Sequence, residues 1–191
     1  TLWYQDTDGD GYGRPSATKT SCTQLAGYVL NNTDCDDVSA YAKYTFPGAA
    51  LYDSATACMK DFDGDDYGDW SASSPVTKGR DCDDAKSAIN PSAQEVCDGM
   101  DNDCDGAADE GVLLTWYYDA DGDTFGNPAS SASACTRPSV YVSNSSDCDD
   151  TSVYAKYTYP GAARNDSTTA CMKDVDEDEF GDLSASSPVT K

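Results

Sequence analysis

The stretch Asp6-Thr7-Asp8-Gly9-Asp10-Gly11-Tyr12-Gly13 decides how the rest of the chain is read. Its acids stand at positions 1, 3 and 5, with an aromatic residue at 7 and glycine at 8. Carboxylates at this spacing converge on one point, and the carbonyl of position 7 faces the same point, as in calcium loops. Asp suits the task because its short side chain sits in a tight turn. The pattern recurs from Asp61, Asp119 and Asp174. The expected ligands are Asp6, Asp8, Asp10 and Tyr12; Asp61, Asp63, Asp65, Tyr67 and Asp69; Asp119, Asp121, Asp123 and Phe125; and Asp174, Asp176, Asp178, Phe180 and Asp182. The aromatic ring is expected to pack inward while its carbonyl binds metal, and the next glycine to permit a sharp turn.

A fifth segment, Cys97 to Glu110, offers Asp101, Asp103, Asp105, Ala107, Asp109 and Glu110, with Gly106 at position 6. None of the five loops has Glu at position 12, so each is a ligand short. The missing acids are expected from three Asp-Cys-Asp-Asp boxes: Asp34, Asp36 and Asp37; Asp81, Asp83 and Asp84; Asp147, Asp149 and Asp150. So many hard oxygens point to Ca²⁺, about five ions or more at 6–8 oxygens each. Zinc and copper would want His or Cys, and His is absent.

Composition narrows the classes. The 191 residues hold 35 acids against 12 bases, a net charge of −23, and 31 of the acids are Asp. Such a charge repels phosphate backbones, which excludes a nucleic-acid partner. No apolar run is long enough to span a membrane. Without His there is no Ser-His-Asp triad. The chain opens at Thr1 with no signal peptide in view, and so reads as a mature fragment. Nine cysteines without a CxxC pair argue for disulfides in an oxidising, extracellular or cell-surface setting.

The chain repeats itself. Residues 1–78 align without gaps on 114–191, offset by 113, with 47 identities. The reading is one complete unit, 1–113, built of half-repeats at about 1–57 and 58–113, and a second, incomplete unit, 114–191, whose polypeptide is expected to continue. The fold class expected is small, mainly-β and irregular: tandem calcium- and disulfide-stapled units with short strands and little helix. Strands are expected at Leu2–Tyr4, Tyr28–Leu30, Leu113–Tyr118 and Val140–Val142, and single helical turns at 38–44 and 85–89. The Ser/Thr-rich stretches 16–23, 71–77, 129–136 and 184–190 read as exposed loops. Trp3, Trp116 and the 13 Tyr supply small cores, or else a carbohydrate-stacking face.

Adjacency suggests the disulfides Cys22–Cys35, Cys58–Cys82, Cys97–Cys104 and Cys135–Cys148, although connectivity does not follow from sequence alone. Cys171 is then unpaired or joined to another segment. Asn31, Asn144 and Asn165 head N-glycosylation sequons.

The run Trp-Tyr-x-Asp-x-Asp-Gly-Asp-x-(Tyr/Phe)-Gly, then Asp-Cys-Asp-Asp, Pro-Gly-Ala and Cys-Asp-Gly-Met-Asp-Asn-Asp-Cys-Asp-Gly, resembles the MopE-type metal-binding repeat family of bacterial secreted and surface proteins. The resemblance implies an extracellular, calcium-associated, multi-copy module. Some members are linked to copper through His and a modified Trp, and this chain has no His. The insert YAKYT…TACMK lies outside the family pattern as read here.

The functional expectation is an extracellular calcium-binding structural or adhesive repeat protein, a segment of a surface array or filament that partners with copies of itself. The alternative is a calcium-dependent carbohydrate-binding or adhesion module with glycans as partners. An enzyme is not expected: every acidic cluster sits in a repeated loop, leaving acids such as Asp53 and Asp166 as the ones a hydrolase would need.

Overall fold

The computed structural model describes residues 1–183 and 189. The chain forms two compact units, Thr1–Glu110 and Gly111–Lys191.

The first unit opens with strand β1 (Leu2–Gln5), followed by β2 (Arg14–Thr20) and β3 (Tyr28–Val29). They form an antiparallel sheet in the order β2-β1-β3. The acidic loop from Asp6 is the connection between β1 and β2, so hairpin pairing such as Trp3 with Lys19 fixes both ends of it. A 3-10 turn at Ala42–Tyr44 then leads into the hairpin β4 (Thr45–Pro47) and β5 (Cys58–Lys60). Strand β5 runs directly into the second acidic loop at Asp61.

The core sits on this second hairpin. Ala42, Thr45, Ala49, Ala50, Met59 and Tyr67 are buried there. Thr45, the polar member, donates its hydroxyl to the carbonyl of Tyr41 at 2.9 Å, which satisfies it inside. Half of these side chains are alanine, so the core is thin. Full burial of one such as Met59 contributes about 1.5–3 kcal/mol.

The second unit repeats the plan. Strands β6 (Leu114–Tyr118), β7 (Ser131–Ala134) and β8 (Tyr141–Val142) pair in the order β7-β6-β8. A 3-10 turn at Ala155–Tyr157 precedes the hairpin β9 (Thr158–Pro160) and β10 (Cys171–Lys173). Ala155, Thr158, Ala162, Ala163 and Met172 form its core.

Short strands, small sheets and almost no helix give the mainly-β, irregular, disulfide-stapled fold expected from the sequence. Three expectations change. The Ser/Thr-rich stretches 16–23 and 129–136 hold most of strand β2 and all of β7, because an edge strand can be as polar and exposed as a loop. Residues 85–89 make hydrogen-bonded turns, not a helical turn. The cores are aliphatic: Trp3 and Trp116 are only half-buried, and Tyr67 is the one buried tyrosine among the described residues. The second SASSPVTK segment lies outside the described residues apart from Val189.

The disulfides also differ. The bridges are Cys35–Cys58, Cys82–Cys104 and Cys148–Cys171, and Cys97 and Cys135 are disulfide-bonded too. Cys22 is free and exposed, and Cys171 is paired. Pairing by sequence adjacency fails because each box cysteine bonds forward, 22 or 23 residues on, to the segment that carries the next acidic loop. In unit 1 the boxes and bridges therefore alternate along one line of loops, starting at Asp6, Asp61 and Asp101.

Candidate metal centre

All five loops share one backbone path. Positions 4 and 6 take positive φ in each: Gly9 and Gly11, Gly64 and Asp66, Cys104 and Gly106, Gly122 and Thr124, Glu177 and Glu179. This left-handed conformation is open to glycine and strained for the others. The position-8 glycine expected to make the turn has another role. At Gly13 an added Cβ would lie 2.6 Å from Tyr4 Cβ and 2.7 Å from the Asn31 carbonyl oxygen, so the residue serves close packing.

The carboxylates at positions 1 and 5 hold that path. Asp6 accepts from the N–H of Gly9 at 2.7 Å, and Asp61 from Gly64 at 2.7 Å and Asp66 at 3.0 Å. Asp119 accepts from Gly122, Asp174 from Glu179, and Asp101 from Gly106. Asp10, Asp65, Asp105, Asp123 and Asp178 each accept from the N–H two residues on. Both oxygens of each position-1 acid are thereby engaged, whereas at position 5 one oxygen is fixed and the other is left over.

The boxes meet these loops. The last acid of each box accepts from the N–H of loop position 2: Asp37 from Thr7 at 2.7 Å, Asp84 from Phe62 at 2.8 Å, Asp150 from Ala120 at 2.8 Å. Each box is thus docked on the loop that precedes it in sequence. The first box acid, Asp34, Asp81 or Asp147, accepts from the N–H of Asp36, Asp83 or Asp149, which orients it. Asp63, Asp81 and Asp84 offer oxygens within 4.8 Å of one another. Oxygens bound to one calcium ion at 2.3–2.6 Å lie within that spread.

Oxygens without a hydrogen-bond partner gather at the same places. They are Oδ2 of Asp8, Asp10 and Asp34; both oxygens of Asp63 with Oδ2 of Asp65 and Asp81; and Oδ2 of Asp121, Asp123 and Asp150. A buried acceptor left unpaired costs free energy, more if charged, so these clusters call for a cation. The electrostatics agree. Burial first, then the charges of Asp8, Asp34 and Asp6, push Asp10 up from 3.8 to about 7. Burial and neighbouring carboxylates likewise raise Asp81 and Asp123 to about 7 and Asp63 to about 6. Asp121 is raised by burial and by Asp147 and Asp150.

Several expected ligands do other work. Asp36 and Asp149 cap their own turns, and despite burial the hydrogen bonds from Ser39 and Ser152 hold them below the ordinary carboxylate value. Asp83 pairs with Lys86 at 2.6 Å. Asp69 and Asp182 pair with Lys60 and Lys173, each at 2.6 Å. Lys60 also reaches Asp84 at 3.0 Å, a cation already beside the second site. Asp109 accepts from the N–H groups of Asp98 and Gly99. In the fifth loop Glu110 keeps a buried oxygen without a hydrogen-bond partner.

The rings at position 7 pack as expected in three loops. Tyr12 stacks on Phe46 and Phe125 on Tyr159, both at 5.3 Å between centroids, while Tyr67 is buried beside Tyr52. Phe180 is exposed. Each stacked pair ties an acidic loop to the core hairpin of its unit.

Sequence reading missed two supports. Glu95 accepts from the N–H groups of Asn102, Asp103 and Asp109 and so organises the fifth loop from outside it. Asp53 accepts from Gly68 N–H and pairs with Arg80 at 2.6 Å, and Asp166 accepts from Gly181 N–H. That both copies keep this Asp eight residues before the loop was the available signal.

Three segments, 34–50, 81–110 and 147–178, match one family profile, the copper-binding MopE family, described as a putative metal-binding motif. The chain carries the MopE-type motif. Each MopE-type match begins on the first acid of a box. The second and third then include the box disulfide and run into the following acidic loop. The third also runs through YAKYTYPGAA…TACMK, so the insert read as foreign to the pattern is inside it. Neither the curated proteins nor the solved structures return a match.

Copper, named in the family's title, does not fit the residues present. The chain has no His, and the cysteines of all three boxes are in disulfides. Met59 and Met172 are buried in the hairpin cores. What remains around the loops is carboxylate and carbonyl oxygen, a donor set for a hard cation.

Proposed function

We propose that the chain is an extracellular repeat protein whose acidic loops hold calcium as structural ions, and that it is not an enzyme. The observation that carries this reading is the second site. There Asp63, Asp65 and Asp81 present carboxylate oxygens without hydrogen-bond partners, and Asp63, Asp81 and Asp84 converge within 4.8 Å. Such a cluster repels itself until a cation fills it, so binding and folding are coupled. Calcium suits it better than magnesium, which keeps several waters and uses one or two carboxylates.

Disulfides at eight of nine cysteines support an oxidising compartment outside the cytoplasm. No helix of the described residues is long and apolar enough to cross a membrane. Repeated, stapled units with thin cores suit a spacer or filament segment better than a catalyst.

The test is a thermal melt of the oxidised protein with about 1 mM Ca²⁺ and after chelation, where a ligand bound only by the folded state raises the midpoint by mass action. The reading predicts a large fall on chelation, recovered by calcium and not by equimolar magnesium. An unmoved melt would make the acids mere surface charge.

A further inference from the structure

The three loop–box sites differ in what faces the docking acid. At the first, Asp37 accepts from both the N–H and the hydroxyl of Thr7, at 2.7 and 2.9 Å. At the third, one oxygen of Asp150 accepts from the Ala120 N–H and the other has no hydrogen-bond partner. At the second, Asp84 Oδ1 accepts from the Phe62 N–H, and its Oδ2 stands 3.0 Å from Lys60 Nζ. Among the described residues no ion pair reaches Asp37 or Asp150. The difference lies one residue before each loop, where the chain has Gln5, Lys60 and Tyr118. Lys60 is the last residue of β5, so the hairpin fixes it beside the loop that follows. Its ammonium is held from two more sides, by Asp69 at 2.6 Å and by the Tyr41 ring, whose centroid is 4.7 Å away.

We propose that Lys60 is a tethered counter-ion that competes with calcium for Asp84 and makes the second loop–box site the weakest of the three. This assignment rests on the calcium reading of that site. Asp63, Asp81 and Asp84 bring oxygens within 4.8 Å of one another, so an ion among them sits close to the ammonium. Calcium must draw Asp84 Oδ2 away from Lys60. The lysine stays where it is, held by Asp69 and Tyr41, and remains a like charge beside the ion. Without calcium the same charge acts in the other direction. It offsets the repulsion among buried carboxylates, and removing it leaves Asp84 and Asp69 without their cation. One residue thus lowers calcium affinity and raises metal-free stability. The second copy keeps part of the device: Lys173 pairs with Asp182 at 2.6 Å and lies 4.8 Å from the Tyr154 ring centroid.

Calcium is titrated into the stripped, oxidised 191-residue protein in competition with a chelator of known affinity. The amide NMR signals of Phe62 and Asp83 read the second site by itself, and those of Thr7 and Ala120 read the other two. The wild type is expected to fill the second site last. Lys60→Met should tighten that site about tenfold, roughly what removing a unit charge a few Å from a divalent ion supplies even at the dielectric of water. Its metal-free melting midpoint should fall by about 4 °C or more. Lys60→Gln keeps a donor for Asp84 without the charge and should tighten the site as well. Lys86→Met removes the same charge from Asp83, next to Asp84 in sequence, and should have a smaller effect. A lysine with only a structural role would lower stability without raising affinity, so the opposite signs are the signature. Second-site affinity that is unchanged or weaker in both Lys60 variants, or raised no more than in Lys86→Met, would overturn the proposal and leave the calcium reading intact, as would a wild type that fills the second site first. A wild type that binds calcium at none of the sites would overturn both.

Discussion

Removing the cation should invert the pH dependence of stability, and Asp81 shows by how much. This carboxyl is fully buried, and burial with the charges of Asp65, Asp63 and Asp84 raises it from 3.8 to about 7. A carboxylate raised in the folded state binds its proton more tightly there than in the unfolded chain. Its contribution is therefore complete below about pH 3.8 and is lost as pH rises through about 7. Holding Asp81 ionised at pH 8 without a cation costs roughly 4 kcal/mol at one pK step per 1.36 kcal/mol. That is a large part of a small domain's total stability. Asp10, Asp63 and Asp123 act in the same direction with less weight, because solvent screens them more. Asp36, Asp53, Asp69 and Asp149, held below 3.8, act oppositely, and their contribution is lost only as pH falls below that value. Metal-free protein should thus be most stable near pH 4–5 and weaken up to pH 8. Even half of the Asp81 cost would lower the midpoint by about 8 °C or more. Circular-dichroism melts of stripped, oxidised protein at several pH values measure this. Asp81→Asn should stabilise the metal-free protein at pH 8 and destabilise the calcium-loaded one. A metal-free midpoint that is flat or rises from pH 5 to 8 refutes the reasoning.

Three further outcomes follow from the same geometry. Thr124 is β-branched at φ +80° where Gly11 stands in the first copy; Thr124→Gly should raise stability by about 1 kcal/mol in a urea titration, as strain relief exceeds the entropy of glycine. Asp84→Asn keeps the shape of the residue that docks its box on the Phe62 N–H, and should weaken calcium binding about 10–100-fold by calorimetry. Replacing both Cys82 and Cys104 with Ala opens a closure of 22 residues and should cost about 3 kcal/mol in the same urea titration, with the loss concentrated in unit 1.

The loops were legible because calcium-type spacing is local: Asp6, Asp8 and Asp10 need no knowledge of the fold to converge. That the boxes meet the loops was legible by counting ligands, since each loop lacked position 12. Which acid of a box serves was not legible. Asp37 and Asp36 are neighbours in sequence, yet one docks the loop and the other caps a turn, a choice made by backbone direction. The disulfides were missed because bridging depends on which box rests on which loop, a tertiary fact. Loops and boxes pair backward by carboxylate while cysteines bond forward, and adjacency captures neither. The core was missed because it is made of alanine, threonine and methionine in an insert with no apolar run. Close packing of Ala50 and Met59 around Gly68, where an added Cβ would lie 2.8 Å from Met59 Cε, appears only when the hairpin closes.

The central claim is that these carboxylate clusters are calcium sites, and ion counting tests it most directly. Oxidised protein is dialysed against equal concentrations of Ca²⁺, Mg²⁺ and Cu²⁺ at pH 7.5, and bound metal is counted by mass spectrometry. The account predicts retained calcium in at least the three loop–box sites anchored at Asp37, Asp84 and Asp150, with copper at background. Stoichiometric copper, or no retained calcium, would contradict it.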